Sequence, residues 1–312
     1  LASRLPTRRR FLGSAAAGAA ALGLGASIGG RATAATGDIA AAPVADGLVL
    51  FTGAGGNVLV AEAPDSLLMI DSGVEEKAEA LMRAIADRFG GRPVATLFNT
   101  HWHLDHTGGN ALAAAQGAQI LAQDNTRGWM GNAFYVAWQE RHYPAREPAA
   151  RPTASFDRTG EMDFGGRQIL YGHLPRAHTD GDLYVRFPDA DVVAVGDVVS
   201  PGAYPVLDYS TGGWSGEMID SLAMLLETSG PDTVFVAGAG QPVGRAAVQA
   251  QHDMMVEVQA RMVQLMRQGK GPADMMAEGM TADFDADWGD PSLYLYNAYQ
   301  GIYGHFRDMR FA

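Results

Sequence analysis

Asn99-Thr100-His101-Trp102-His103-Leu104-Asp105-His106-Thr107-Gly108-Gly109-Asn110 is the stretch on which the reading of this chain turns. It follows an apolar run of strand type, Val94 to Asn99, and leads into a segment with a helical pattern, 106 to 117. Three histidines and an aspartate fall within six residues, in a chain that has eight histidines in all. Packing does not require such a cluster, whereas metal binding does. Neutral imidazole suits zinc, and carboxylate oxygens share or bridge ions. On a strand-like loop, residues i and i+2 point the same way. His101 and His103 are therefore placed to grip one ion, while Asp105 and His106 turn toward a second point nearby.

The rest of the composition narrows the chemistry. The 312 residues contain no cysteine, which excludes disulfide scaffolds, thiolate-held zinc, iron–sulfur clusters and thiol nucleophiles. Any metal must be held by His, Asp or Glu. Hydrophobic residues are 47% and charged residues 19%, ordinary for a soluble globular protein of one large or two small domains. The 23 basic and 35 acidic side chains give a net charge of -12, which argues against nucleic acid or anionic membrane as partner.

The five arginines of residues 1–34 stand against no acid there, so without that segment the balance is 18 against 35, or -17. The segment itself has the layout of an export signal: a basic start, an uncharged Ala/Gly-rich run from Phe11 to Gly30, and Ala32-Thr33-Ala34 as a small-residue cleavage site. Thr7-Arg8-Arg9-Arg10-Phe11-Leu12 resembles the twin-arginine signal. The expectation is a signal over 1–34 and a periplasmic or otherwise exported protein with no stable membrane anchoring after cleavage. A linker is expected over 35–46 and a domain over 47–312, with C-terminal helices from about 243.

Within 47–312, β-type runs alternate with helical ones. Leu48–Thr52, 57–63 and 66–71 read as strands separated by glycine and Pro64-Asp65 turns. Glu75 to Phe89 reads as a helix with Leu81, Met82, Ile85 and Phe89 on one face, ended by Gly90-Gly91 and Pro93. A short strand is expected at 119–122. Asp124 to Arg146 is rich in aromatics. Strands return at 168–174, 183–187, 192–195 and 233–237, with helices at 216–228 and about 243–268. Strand clusters followed by helices predict sheets covered by helices, an α+β architecture.

H-x-H-x-D-H after a strand, followed by T-G-G-N, resembles the metallo-β-lactamase superfamily. The resemblance spans roughly residues 47 to 245 and continues in order. Ala177-His178-Thr179-Asp180-Gly181-Asp182 looks like the family's A-H-T-x-G-D segment, and Val195-Gly196-Asp197 like its G-D segment. It implies a four-layer αββα sandwich with a helical C-terminal extension and the metals at one edge of the two sheets. It implies that His101, His103 and His178 hold a first Zn2+. Asp105, His106 and Asp197 then face a second, with Asp197 touching both. Asp at the bridging position matches the glyoxalase II and lactonase branches. True β-lactamases usually carry Cys or Ser there, so β-lactam hydrolysis loses ground.

One departure matters. The family closes its second site with the His of a P-G-H-G segment after the next strand, and here Ala237-Gly238-Ala239-Gly240-Gln241-Pro242 puts Ala239 in that place. A methyl group cannot ligate metal. Three readings stay open: a weaker second ion held by Asp105, His106, Asp197 and water; a one-ion enzyme with Asp105 as general base; or a metal-binding pseudoenzyme or ligand-binding periplasmic module. The leading expectation is an exported hydrolase that opens an ester, lactone, thioester or similar small-molecule bond through a metal-bound hydroxide, with Asp105 accepting the water's proton. His142, Tyr204 and Trp214 are the candidate substrate contacts. His173 reads as a strand residue near the surface, with a replacement ligand as the minority alternative, Gln241 as a neutral group able to order water at the vacant ligand position, and His252 and His305 as surface or packing residues. The paired methionines at 254–255 and 275–276 read as helix core, with a copper site as the minority alternative.

Overall fold

The computed structural model describes residues 38–309, with side chains to residue 304. The signal expected over 1–34 lies outside the described residues. The described strands begin with β1 (Ala40–Ala45), β2 (Leu48–Thr52), β3 (Val58–Glu62) and β4 (Leu67–Ile70), an antiparallel meander. Strands β5 (Val94–Phe98) and β6 (Gln119–Gln123) continue that sheet in parallel. A hairpin, β7 (Phe134–Val136) and β8 (Arg141–Tyr143), pairs within itself, and β9 (Ala154–Phe156) adds beside β6 at the sheet's far edge. The second sheet runs β10 (Thr159–Phe164), β11 (Arg167–Leu174), β12 (Asp182–Phe187), β13 (Val192–Gly196), β14 (Val234–Ala237) and β15 (Val243–Gly244). Its β13–β14 pair is parallel and its other pairs are antiparallel.

Residues 40–45, expected as part of a linker, are thus a strand. Ala40 to Pro43 pair with Thr52 to Val49. The segment has no apolar alternation to announce it, and its strand state comes from the hydrogen-bonding edge that β2 offers.

Alternation along each inner strand builds the layers. In β2, Leu48 and Leu50 point inward with Leu59, Ala61, Leu68 and Ile70, and meet Leu183, Val185, Phe187, Ala194 and Val236 of the second sheet. Val49 and Phe51 point the other way, with Val60 and Met69, and pack under Leu81, Met82, Ile85 and Phe89 of helix α1 (Ala78–Phe89). On the second sheet, Val193, Val195 and Phe235 face outward, toward helices that follow later in the chain. The result is two sheets face to face with helices on both outer sides, the four layers the sequence implied.

Helices α2 (Leu104–Thr107) and α3 (Asn110–Ala115) replace the one helix expected over 106–117. At the break the Gly108 and Gly109 amides donate to the Gly73 carbonyl and to Ser72 Oγ, at 2.8 and 3.1 Å, instead of to the preceding turn. A Cβ on Gly108 would lie 2.2 Å from the Glu75 backbone nitrogen, and one on Gly109 2.6 Å from the Ser72 carbonyl oxygen. Only glycine lets the loop after β4 come this close. The aromatic segment opens with α4 (Asp124–Gly131). The outer helices on the second sheet are α5 (Ser215–Glu227), α6 (Arg245–Arg267), α7 (Pro272–Ala277), α8 (Asp285–Trp288) and α9 (Ser292–Met309). Met254, Met255, Met262 and Met275 are buried in the apolar layer they form with Tyr294, Leu295 and Ile302, which accounts for the methionine pairs as packing. Among the described residues no helix is long and apolar enough to cross a membrane.

Candidate metal centre

The site forms where several strands end at one edge of the sandwich. Chain leaving β5 supplies Thr100, His101, His103, Asp105 and His106. The β11–β12 loop supplies His178, the residue after β13 is Asp197, and chain leaving β14 carries Gly238 and Ala239. The two sheets are stitched together here. Leu183 N–H donates to the Thr100 carbonyl at 2.9 Å, and the Asn57 side chain donates to the carbonyls of Ala237 and Gly240 at 2.9 and 2.8 Å.

One ligand-capable atom from each of His101, His103, His178 and Asp197 lies within 4.8 Å of all the others, and the three histidines are buried. The outer partners decide which nitrogen each ring presents. The His178 Nδ1–H donates to the Val206 carbonyl at 2.7 Å, and the His103 Nε2–H to Asp208 Oδ2 at 3.1 Å. Thr100 Oγ donates to Asp71 Oδ2, so it accepts from His101 Nδ1 at 3.1 Å. Each neutral ring then turns a lone pair inward. His178 Nε2 and His103 Nδ1 face each other at 3.0 Å, and His101 Nε2 is buried with no hydrogen-bond partner. Two lone pairs facing at that distance repel unless a proton or a metal ion lies between them, and an unpartnered buried nitrogen such as His101 Nε2 is costly. The donor set therefore fits a divalent ion, with the outer partners holding each tautomer as metal-ligating histidines require. Burial first, then the charge its neighbouring histidines would carry, holds the His101 pKa well below the usual imidazole range, which keeps its lone pair available.

Asp197 looks both ways. Its Oδ2 lies 3.8 Å from His101 Nε2 and 3.6 Å from His178 Nε2, and its Oδ1 lies 3.3 Å from His106 Nε2. On the second side, His106 Nε2 is also 3.6 Å from Asp105 Oδ2. Burial opposes a charge on His106, but the carboxylates of Asp71, Asp197 and Asp105 outweigh it, and its pKa is raised well above the ordinary value. That is an anionic pocket seeking a positive charge, whether proton or metal. Chain leaving β14 passes directly over it: a Cβ on Gly238 would fall 2.1 Å from Asp197 Oδ1 and 2.6 Å from His106 Cε1.

The structure thus brings His101, His103, His178, Asp197, Asp105 and His106 together. Of the proposed substrate contacts, only Tyr204 joins them, in a cavity of about 140 Å³ lined also by Asp105, Asp197 and Ala239. Its hydroxyl donates to Asp285 at 2.9 Å, so Tyr204 presents its ring rather than its oxygen. His142 and Trp214 do not line this cavity. His142 is exposed on β8 beside Tyr135, at 4.6 Å between rings, and Trp214 lies over Gly216 at the start of α5, against Gly301. Hairpin pairing turns the first away, and helix packing consumes the second. His173 lies in β11, paired with Leu183, and bonds the Asp180 carbonyl at 2.9 Å, and Gln241 is exposed.

Two acids that sequence reasoning passed over hold the site. Asp71 accepts from Thr100 N–H, the Thr100 hydroxyl and His106 Nδ1, each at 2.7 Å. It does so from a left-handed backbone conformation, φ 61°, unusual for a residue other than glycine. Asp208 accepts from His103, from the Thr211 hydroxyl at 2.8 Å and from Trp138 Nε1 at 2.8 Å. Burial pushes its pKa up, but the His103 hydrogen bond and the other donors prevail and hold it below the usual carboxylate value. The available signal for Asp71 was an acid ending an otherwise apolar strand. Asp71→Ala removes three hydrogen bonds behind His101 and His106 at once, and is expected to weaken binding of a divalent ion by about 10–100-fold. Competition against a chromophoric chelator measures it, and an unchanged affinity would remove Asp71 from the site.

Comparison with known proteins agrees with this geometry. Residues 51–238 match the Metallo-beta-lactamase superfamily. The chain is 32% identical over 125 residues to the 2,4-dinitroanisole O-demethylase subunit alpha of Nocardioides sp., a match covering 40% of this chain and 35% of that subunit. Among solved structures, it resembles the stereoselective inverting sec-alkylsulfatase from Pseudomonas sp. at TM-score 0.68 and 18% identity, over 84% of this chain and 50% of that one. It resembles a metallo-beta-lactamase from Pontibacter korlensis at TM-score 0.58 and 18% identity, over 70% and 98% of the two chains. It therefore spans about a third of the demethylase subunit and half of the alkylsulfatase, and the structural likenesses concern the fold.

Proposed function

The chain belongs to the metallo-beta-lactamase superfamily, and we propose that within it the protein is an exported, zinc-dependent hydrolase of a small-molecule ester, lactone, thioester or similar bond. The observation that carries this is Asp197, whose two oxygens face two separate sets of ligands 3.3–3.8 Å away. His101, His103 and His178 are the three-histidine donor set of a single-ion site that keeps a position for water, with Asp197 Oδ2 beside them. A divalent ion held there supplies Lewis acidity at the scissile group and lowers the pKa of water toward neutrality.

The chain's own residues do the rest. Asp105 lines the cavity beside Asp197 and accepts the proton of the attacking water. His106, fixed by Asp71, keeps Asp105 and Asp197 apart and oriented. With Ala239 at the position where a further ligand would stand, the second set has only Asp105, His106 and Asp197, which supports one tightly bound ion and a weaker second. The O-demethylase subunit supports a substrate cleaved next to oxygen. The Thr7–Leu12 pattern supports export by the twin-arginine route, and the acidic balance supports a small molecule rather than nucleic acid as partner.

The test is metal content and turnover measured together. Protein purified without added metal and dialysed against micromolar zinc should retain one ion by elemental mass spectrometry. It should hydrolyse a simple aryl ester, lose that activity to a chelator and regain it with zinc. Retention of no ion, or turnover indifferent to the chelator, would overturn the reading.

A further inference from the structure

Besides Asp105 and Asp197, the wall of the cavity beside the metal ligands carries side-chain polar atoms at Ser200 and Tyr204. Val199, Pro201, Ala203, Val206 and Ala239 supply aliphatic surface, and Tyr204 supplies a ring whose hydroxyl is already engaged with Asp285. None of the lining residues is basic. With Asp105 and Asp197 matched by the ion and by His106, an anionic group against the rest of this wall would find no basic side chain to pair it, and an unpaired charge in such a place is strongly disfavoured. An apolar group gains instead from each methylene it buries. The volume, about 140 Å³, includes the space beside Asp105 and Asp197, and the remainder suits a short apolar group. Position 239 contributes to this directly, because the methyl that cannot ligate a metal faces the same cavity as Asp105 and Asp197.

We propose that this cavity receives a short uncharged, apolar group, so that the part of the substrate beside the scissile bond is a neutral aliphatic or aromatic group and not a carboxylate-bearing one. The proposal rests on the hydrolase reading for its chemistry and on the cavity wall for its selectivity, and the two are tested separately.

The zinc-loaded protein is assayed with a matched pair, 4-nitrophenyl hexanoate and mono-4-nitrophenyl adipate, which differ in a terminal methyl against a terminal carboxylate. The hexanoate is expected to be favoured in kcat/KM by about tenfold or more, and a smaller ratio overturns the proposal. Ala239→Leu, which extends into the cavity, is expected to raise KM for the hexanoate but not for 4-nitrophenyl acetate, and Ala203→Leu serves if that variant does not fold. Equal effects on the two esters count against the cavity. If neither ester of the pair is cleaved, the hydrolase reading fails, and the cavity is then probed by binding alone. In saturation-transfer NMR, 2-heptanone should bind and lose its signal in the leucine variant, while 6-oxoheptanoate should not bind. Binding of the carboxylate, or of neither probe, overturns the inference.

Discussion

Asp197→Ala is expected to abolish tight zinc retention and to lower turnover by more than about a hundredfold, beyond what loss of an outer partner causes. Asp197 Oδ2 closes the set formed by His101, His103 and His178, and Oδ1 faces His106. Removing it therefore strips both sides at once. The three histidines would remain, with Nε2 of His178 and Nδ1 of His103 still 3.0 Å apart, but without the carboxylate whose ligand atom converges with theirs. Elemental mass spectrometry after dialysis reads the first effect, and aryl ester hydrolysis at saturating zinc reads the second. Circular dichroism distinguishes loss of the ion from loss of the fold. A variant that keeps one ion per chain would show that the imidazoles suffice and that Asp197 is not a ligand.

Asp105→Asn is expected to separate metal binding from turnover. Asp105 is not among the four residues whose ligand atoms converge, so the first ion should stay. Its carboxylate lines the cavity with Asp197 and lies 3.6 Å from His106 Nε2, where a proton acceptor for the attacking water belongs. The amide has nearly the same shape and cannot take that proton. General-base catalysis contributes about 10²–10⁴-fold, so kcat should fall by that factor with zinc content unchanged. Full activity in the variant would remove the role assigned to Asp105. Loss of the ion together with activity would place Asp105 among the ligands of the tight site instead.

The elements differ in how far they can be read from sequence, and the difference follows their place in the sheets. Strands β2 to β6 and β11 to β14 carry apolar runs that bury one or both faces, and their pattern is visible. Strands β1, β9, β10 and β15 escaped the pattern, and all four are sheet edges. Thr159–Phe164 alternates exposed and half-buried residues, and Ala40–Pro43 is exposed. An edge strand is held by the backbone hydrogen bonds of its neighbour, so its side chains need carry no signal. The split between α2 and α3 was equally silent, because it depends on a close approach to the Ser72–Glu75 backbone that lies about 35 residues earlier in the chain.

His101, His103, Asp105 and His106 could be read from one short stretch, because a loop that grips metal must place its ligands at fixed small spacings. His178 and Asp197 needed only the order of two further short segments. What the sequence by itself determined was thus the ligand chemistry, the layered α+β architecture and the exclusion of thiolate sites. Tertiary structure alone decided which ring nitrogen each histidine presents, since that is set by Asp208, the Val206 carbonyl and the Thr100–Asp71 pair, all distant in sequence or hidden as backbone. It also decided that His142 and Trp214 stand away from the cavity while Ala239 lines it. The physical reason is the same in each case. Short-range spacing encodes what one segment can bind, whereas hydrogen-bond partners and cavity walls exist only after separate strand ends meet at one edge of the fold.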